Sequence, residues 1–472
     1  MRILSGSKLL TLLKIIFILS CIVIAIAFIS SQKPKKLGDI MQYLDETIST
    51  EISNPTQVHS FNLASACLSR SILDSNEVKL HSNRSSDKEY TLTIGISTIT
   101  RDNGNVYLMD TLSSLTVDQT VGTITPKFLI VLQLGDSSKQ KRIQLANKIQ
   151  QKYMSLVNEG TLDIIQVFPP YYPSFEKLKR RFNDNEKRVK WRSKQVIDFS
   201  FLFCYCYGLS KYHLQLEDDI KASPYYYPKL MDFIDSYENK ETWFTLDASM
   251  LGYIGKVYHN YDLNEIATFY YIFYDEMPVD WMEYNWRELK GQAGRWRFRV
   301  ASLFEHYGDI SSLRSKPQKT NEAYFDKYSQ KYLGHNPPAV IKTNLIPKMQ
   351  TSIDFAYNKG ARYFRGTCNN KTSCHIVIMF QNEILLQGVI VETGGNIAIN
   401  DRIKSGWLKL GTTPDKNNCL HYHTSLGSFV RGTLAIDFKT FKKVRCIKIE
   451  VQSQQEWVLI REINVWPGQQ QS

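Results

Sequence analysis

The stretch Tyr212-His213-Leu214-Gln215-Leu216-Glu217-Asp218-Asp219-Ile220 runs as an apolar strand and ends abruptly in three adjacent carboxylates. Carboxylates crowded together repel one another and cost free energy unless a cation sits among them. At the C-terminal end of a strand in an α/β sheet they also occupy the edge where such sheets bind ligands. The pattern points to a hard divalent metal gripping a phosphorylated donor. Acidic residues after a strand also serve as a solvated turn or a helix N-terminus, and the triplet alone leaves both readings open.

Strand and helix patterns alternate on its N-terminal side. Leu92, Ile94 and Ile96 alternate with small polar residues, Phe128 to Leu132 is a continuous apolar run, and Asp163 to Val167 adds a third strand before Tyr212 to Leu216. Ile143, Ala146, Ile149, Tyr153 and Leu156 recur at helical spacing between them. Such alternation predicts a mostly parallel sheet with helices on both faces, and puts the triplet on its ligand-binding rim. Just before the acidic strand, Val189, Val196, Phe199 and Phe203 give a helix one apolar face and leave Arg188, Arg192 and Gln195 at its margins. Guanidinium groups there would complement a diphosphate held by the metal, although the same pattern also describes a solvated basic face.

The amino terminus bears on location. Leu9 to Ile29 is apolar except for Thr11, Lys14 and Ser20, and reaches spanning length if Lys14 snorkels. With Arg2 and Lys8 ahead of it, residues 1–8 read as a cytoplasmic tail, 9–29 as a retained transmembrane signal anchor, and everything after as exported. Ala25 and Ala27 have the spacing of a cleavage site, so a cleaved signal peptide is the rival reading. Residues 30–88, polar and rich in Ser, Asn and Lys, read as a stem. About 440 residues follow the anchor, too many for one ordinary core. The net charge of +12 would suit nucleic acid, but export argues against that partner and favours an anionic donor or acidic membrane surfaces.

Export also predicts oxidised cysteines, of which the chain has eight in all. Cys368 and Cys374 flank a short polar loop and Cys419 and Cys446 lie in a β-patterned tail, so two local disulfides are expected. Cys204 and Cys206 read as core thiols. Asn83-Arg84-Ser85 and Asn370-Lys371-Thr372 are N-glycosylation sequons. Past Asn336-Pro337-Pro338 the pattern changes to short strands with Gly-rich turns, including Ile376-Ile378-Phe380, Thr433 to Phe438 and Ile447 to Val451, which predicts a β-sandwich over 336–472.

Longer motifs carry a resemblance. Leu178-Lys179-Arg180-Arg181-Phe182-Asn183-Asp184, Arg188-Val189-Lys190, Arg192-Ser193-Lys194-Gln195 and Leu214-Gln215-Leu216-Glu217-Asp218-Asp219 resemble the N-acetylglucosaminyltransferase IV family of Golgi enzymes. So do Leu251-Gly252-Tyr253-Ile254-Gly255-Lys256, Asp280-Trp281 and Phe304-Glu305-His306-Tyr307-Gly308, with the greatest likeness to the C-type isoenzyme. The resemblance implies a GT-A-like nucleotide-sugar-binding domain over 89–335 and a single-pass type II protein of the Golgi membrane with its catalytic part in the lumen. It implies inverting transfer of N-acetylglucosamine from UDP-N-acetylglucosamine to O4 of the α1,3-arm mannose of N-glycans on glycoproteins, with Mn²⁺ held by Glu217, Asp218 and Asp219. Asp280 resembles the catalytic base of the related N-acetylglucosaminyltransferase I, and Asp247, after a strand-like run, is its rival. Where the family has Arg-Phe-Arg-Pro-Ser-Leu-Phe, this chain has Arg297-Phe298-Arg299-Val300-Ala301-Ser302-Leu303-Phe304. The tail resembles discoidin and family 32 carbohydrate-binding modules; a lectin role makes Asp401, in a loop after Gly394-Gly395, the expected sugar-binding residue, and a structural lid is the other reading. A catalytically silent, lectin-like regulator of N-glycan branching is the alternative function.

Overall fold

The first sheet has seven strands: β1 (Lys79–His81), β2 (Tyr90–Thr98), β3 (Phe128–Leu134), β4 (Leu162–Gln166), β5 (Ser210–Leu216), β7 (Leu246–Asp247) and β8 (Lys256–His259). Their spatial order is β1-β4-β3-β2-β5-β8-β7, and β6 (Ile220–Ala222) pairs outside it. The computed structural model describes residues 66–101, 107–117, 126–238, 242–292, 297–299, 302–308, 322, 325, 336–348, 351–358, 363–368, 374–394, 399–415, 418–452 and 457–468. The expected anchor at 9–29 and the sequon at Asn370 lie outside the described residues. Among the described residues no helix is long and apolar enough to cross a membrane.

The four central strands are parallel, with Ile94 in register with Ile130 on one side and Leu214 on the other. Antiparallel β1 and β8 close the two flanks. Alternation along β3 explains the layers: Ile130, Leu132 and Leu134 enter one core, Leu129 and Val131 the other. The first core takes helices α1 (Leu108–Thr116), α2 (Lys139–Lys152) and α4 (Tyr226–Asp235). The second takes α3 (Glu186–Cys206), α5 (Leu263–Ile272) and α6 (Val279–Leu289). Burial on both faces is why β3 is nearly a continuous apolar run and why the polar residues of β2 and β5, Thr93, His213 and Gln215, are themselves buried.

Two readings are corrected. The final part of the expected stem belongs to the folded unit: β1 pairs with β4, Leu73 and Val78 are buried, and Arg70 donates to the Tyr205 carbonyl at 2.8 Å. Cys204 is no core thiol but is bonded to Cys67, while Cys206 remains a buried thiol.

On the α6 side of the sheet, Asp247 is fully buried and receives Lys256 Nζ at 2.9 Å and both Arg287 terminal nitrogens at 2.7 Å. Burial alone would raise its pKa, but Lys256 and Arg287 together hold the carboxyl below its usual range. Truncating it to alanine would leave buried Lys256 without its carboxylate and Arg287 with Glu283 alone, so Asp247→Ala is expected to cost about 3–5 kcal/mol, read as a fall in the urea midpoint.

The tail folds as eight strands in two layers that share two long bent ones, β13 (Cys374–Thr393) and β16 (Thr433–Val451). Near Ile376 and Ile449 they lie with β10 (Ala339–Thr343) and β14 (Gly406–Asp415), the latter also pairing with β15 (Asn418–Leu426). Near Val389 and Ile436 they lie with β17 (Val458–Pro467), beyond which come β12 (Phe364–Thr367) and β11 (Ile346–Pro347). Register shifts between Met379 and Ile384 mark where the pair bends from one layer to the other. Ile376, Leu408 and Ile449 from one layer meet Phe364, Val389 and Ile463 from the other in a single core, the arrangement of a β-sandwich.

Candidate active site

Strand order reverses at β2 and β5. From β2 the chain steps outward through β3 and β4, and α3 then carries it back to place β5 on the opposite side of β2. Loops leaving such neighbours part in opposite directions and open a crevice at their C-terminal ends. A cavity of about 380 Å³ lies there. Its walls are Thr98 to Arg101 after β2, Gly135 to Ser137 after β3, Trp191, Lys194, Gln195 and Asp198 of α3, and Glu217 to Asp219 after β5. A second recess of about 560 Å³ shares Asp136, Ser137, Trp191 and Lys194 and adds Arg142, Lys187 and Lys190.

His306 and Gly308 complete the first cavity. They arrive because β6 begins one residue after the triplet and pairs antiparallel with β9 (Phe304–His306), Ile220 facing His306. The Tyr307 amide then donates to the Asp219 carbonyl at 3.0 Å. One ligand atom each from Glu217, Asp219 and His306 falls within 4.8 Å of the others. Asp219 Oδ1 is buried with no hydrogen-bond partner among the described residues, and Oδ2 lies 3.4 Å from His306 Nε2. Two carboxylates, one of them with an orphaned oxygen, and an imidazole fit a divalent cation such as Mn²⁺.

Asp218 turns the other way. Arg101 grips it with two nitrogens, at 2.9 and 3.1 Å, and reaches Asp219 Oδ2 at 2.8 Å, while Thr98 Oγ1 donates to Asp218 at 2.5 Å. Burial first, then the neighbouring Asp219 charge, pushes the Glu217 carboxyl up to about 7. Burial and Asp219 also raise Asp218, against the pull of Arg101. Asp219 feels the same burial, but His306 and Arg101 outweigh it and hold that carboxyl below its usual range. Charge is concentrated on Asp219.

A Cβ at residue 308 would overlap the Asp219 carboxylate, so only glycine leaves that side chain its place. Gly308→Ala is expected to weaken Mn²⁺ binding about tenfold or more, since displacing one ligand costs at least ~1.4 kcal/mol. Titration of the free-Mn²⁺ paramagnetic resonance signal checks it.

The α3 residues sort differently from their sequence reading. Gln195 lines the cavity beside Trp191, Lys194 and Asp198, whose spacing is one helix face. Lys194 supplies the α3 cation there, bonded at 2.7 Å to both Asp198 Oδ2 and the Gly135 carbonyl. Arg192 is instead buried, its guanidinium committed to Asp184 Oδ2 at 3.2 Å and the Asp275 carbonyl at 3.0 Å. Arg188 pairs with Asp184 at 2.7 Å, outside the cavity lining. Arg101, Lys194 and His306 are site residues not assigned from sequence, and Arg101 lay in no motif that would have marked it. The run Arg192-Ser193-Lys194-Gln195 does place Lys194 on the right helix, whereas His306 had only its motif.

Asp280 lies in the first turn of α6, exposed and outside the cavity lining. Partial burial of its carboxyl raises its pKa against the pull of nearby main-chain N–H groups and Arg188. Asp247, its rival, has both oxygens occupied by buried cations, which leaves no lone pair aimed at a substrate.

In the tail, Cys368 is bonded to Cys374 and Cys419 to Cys446. Asp401 is not a bare loop acid: it is buried and paired with Arg365 at 2.9 Å, and that guanidinium lies over the Trp457 ring at 4.6 Å. Asn83 is exposed, its amide donating to the Asn158 carbonyl at 3.0 Å.

Known proteins resemble this chain along most of its length. The family description "MGAT4 conserved region" matches residues 70–325. Alpha-1,3-mannosyl-glycoprotein 4-beta-N-acetylglucosaminyltransferase C of Macaca fascicularis is 35% identical across 79% of this chain and 79% of its own. Alpha-1,6-mannosyl-glycoprotein 4-beta-N-acetylglucosaminyltransferase of Gallus gallus is 34% identical across 79% of this chain and 81% of its own. The B enzyme of Homo sapiens is 32% identical across 56% of this chain and 50% of its own. Among solved structures, the family 32 carbohydrate-binding module of C. perfringens NanJ in complex with galactose covers 27% of this chain and 92% of its own, with 13% identity and a TM-score of 0.22. A Streptococcus pneumoniae fucose-binding module covers 28% and 96%, with 11% identity and a TM-score of 0.24. By the extent of the family match and of the 35% identical relative, the chain belongs to the N-acetylglucosaminyltransferase IV family of glycosyltransferases.

Proposed function

We propose that this chain is an inverting, Mn²⁺-dependent glycosyltransferase of GT-A type that moves N-acetylglucosamine from UDP-N-acetylglucosamine to O4 of the α1,3-arm mannose of N-glycans. One observation carries the reading: Asp219, with one carboxylate oxygen orphaned, groups with Glu217 and His306, and all three line the cavity at the reversal of strand order. Glu217, Asp219 and His306 would hold the cation, which when bound neutralises charge on the departing diphosphate. Arg101 keeps the two aspartates apart in role, one toward the cation and one toward β2. Lys194 and Arg101 give the cavity positive charge for phosphate oxygens, and the cationic second recess gives the nucleotide room.

An α-linked donor giving a β product requires in-line attack, with a base opposite the leaving group to take the acceptor hydroxyl's proton. We assign that role to Asp280, whose raised pKa brings its carboxylate nearer to that of a working base. Residues 9–29 would anchor the protein in the Golgi membrane with this site in the lumen.

The purified chain, given UDP-N-acetylglucosamine, Mn²⁺ and a panel of N-glycans exposing either the α1,3 or the α1,6 arm, should add one sugar mass to the α1,3-arm acceptor and none after chelation. Addition confined to the α1,6 arm would overturn the acceptor assignment. No addition to any member would favour the silent regulator.

A further inference from the structure

The loop from Lys177 to Asp184 is held in an unusual shape. Lys177, Phe182 and Asn183 have positive φ of 55°, 58° and 55°, a region that side chains other than glycine seldom enter. Surrounding groups impose it. Arg192 binds Asp184, Asp275 Oδ2 accepts the Lys179 amide at 3.1 Å, and Glu276 holds Arg181 at 3.0 Å and Lys179 at 2.5 Å. Backbone held this way, by partners on a helix and on a second loop, is characteristic of recognition sites.

What the loop presents is Phe182. Its ring is 52% exposed and meets the 48% exposed Trp281 edge to face, with centroids 4.9 Å apart. Trp281 directly follows Asp280 on α6. The Arg192 guanidinium lies 6.0 Å from the Phe182 ring centroid, and Trp191 and Gln195 of the same helix line the donor cavity. The pair thus adjoins Asp280 through Trp281 and adjoins α3, the helix that lines the donor cavity, through Phe182. Exposed Arg180, Arg181, Asn183 and Asp280 rim them. A protein partner needs a contiguous apolar patch of several hundred Å². Two rings within a polar rim instead match a ligand with an apolar face and hydroxyl edges, which is a sugar ring.

We propose that Phe182 and Trp281 form the platform on which a sugar of the acceptor oligosaccharide stacks beside Asp280, an inference that rests on the transfer function proposed above. In steady-state transfer by the full chain, Trp281→Ala and Phe182→Ala should each raise the KM for a free N-glycan core oligosaccharide about tenfold, while the KM for UDP-N-acetylglucosamine stays within about twofold. Trp281→Phe should recover most of the loss. Acceptor KM unchanged in both alanine variants would overturn the proposal, as would a parallel rise in donor KM, which would place the uracil on these rings. Saturation-transfer resonance of the same oligosaccharide with the unreacting protein reads the platform without catalysis. Signal on ring-face protons that disappears in Trp281→Ala supports the platform even if no transfer occurs. Equal signal in both proteins overturns it.

Discussion

Replacing Asp219 by asparagine is expected to reduce transfer about 10³-fold, the equivalent of ~4 kcal/mol of lost charge stabilisation. The substituted amide would keep the size of the side chain and the main-chain bond from the Tyr307 N–H to the residue 219 carbonyl. It would lose the ionised oxygen that no protein group among those described satisfies, and Mn²⁺ affinity should fall with it. Crowded carboxylates alone suggest that removing one should raise the metal-free melting temperature. The structure argues otherwise, because Arg101 and His306 already compensate the Asp219 charge. Its pKa is held below the unfolded value, so the ionised group contributes stability above that value and loses it as pH falls through the folded one. No rise in melting temperature is expected. A variant with near-normal Mn²⁺ binding and turnover would remove Asp219 from the ligand set.

Asp280→Asn is expected to lower transfer by about 10²- to 10⁴-fold while UDP binding barely changes. The amide matches the carboxylate in volume but cannot take the proton of an attacking hydroxyl. Because Asp280 is exposed at the start of α6 and outside the donor cavity, folding and nucleotide affinity have little to lose. Calorimetric titration with UDP alongside single-turnover transfer separates the alternatives. Collapsed UDP affinity with normal residual transfer would make Asp280 a donor contact, and a large fall in melting temperature would make it a helix cap.

The sheet was legible where strands are buried on both faces. β3 announces itself as a continuous apolar run and β5 as apolar Tyr212, Leu214 and Leu216 alternating with buried His213 and Gln215, and the carboxylates at the end of β5 mark the end where the cavity lies. The pair β14 and β15 carried no such signal, because Gly406, Gly411 and Pro414 interrupt its alternation. Arg192 shows a second limit. Helical spacing told which residues share a face with Gln195, but not that Asp184 and the Asp275 carbonyl would claim the guanidinium from elsewhere in the chain. His306 reaches the triplet only through a short strand pairing far along the sequence, a contact with no local pattern. Asp401 was recognisable as a loop acid, while the Arg365 that neutralises it was not.

The Cys67–Cys204 bond ties the beginning of the folded unit to the last turn of α3 across a separation of 137 residues. Everything that builds the β2, β3 and α3 walls of the donor cavity lies between those two sulfurs, and the acidic triplet follows shortly after. Closing a loop of that length removes about 5 kcal/mol of unfolded-chain entropy. The bond cannot form until translation has passed Cys204, and it cannot persist where glutathione keeps thiols reduced. Chain retained in the cytosol would therefore carry the right residues on a weaker scaffold. On the export proposed above, oxidation would act as a maturation checkpoint, delaying a firm cavity until the protein has left the compartment of its synthesis.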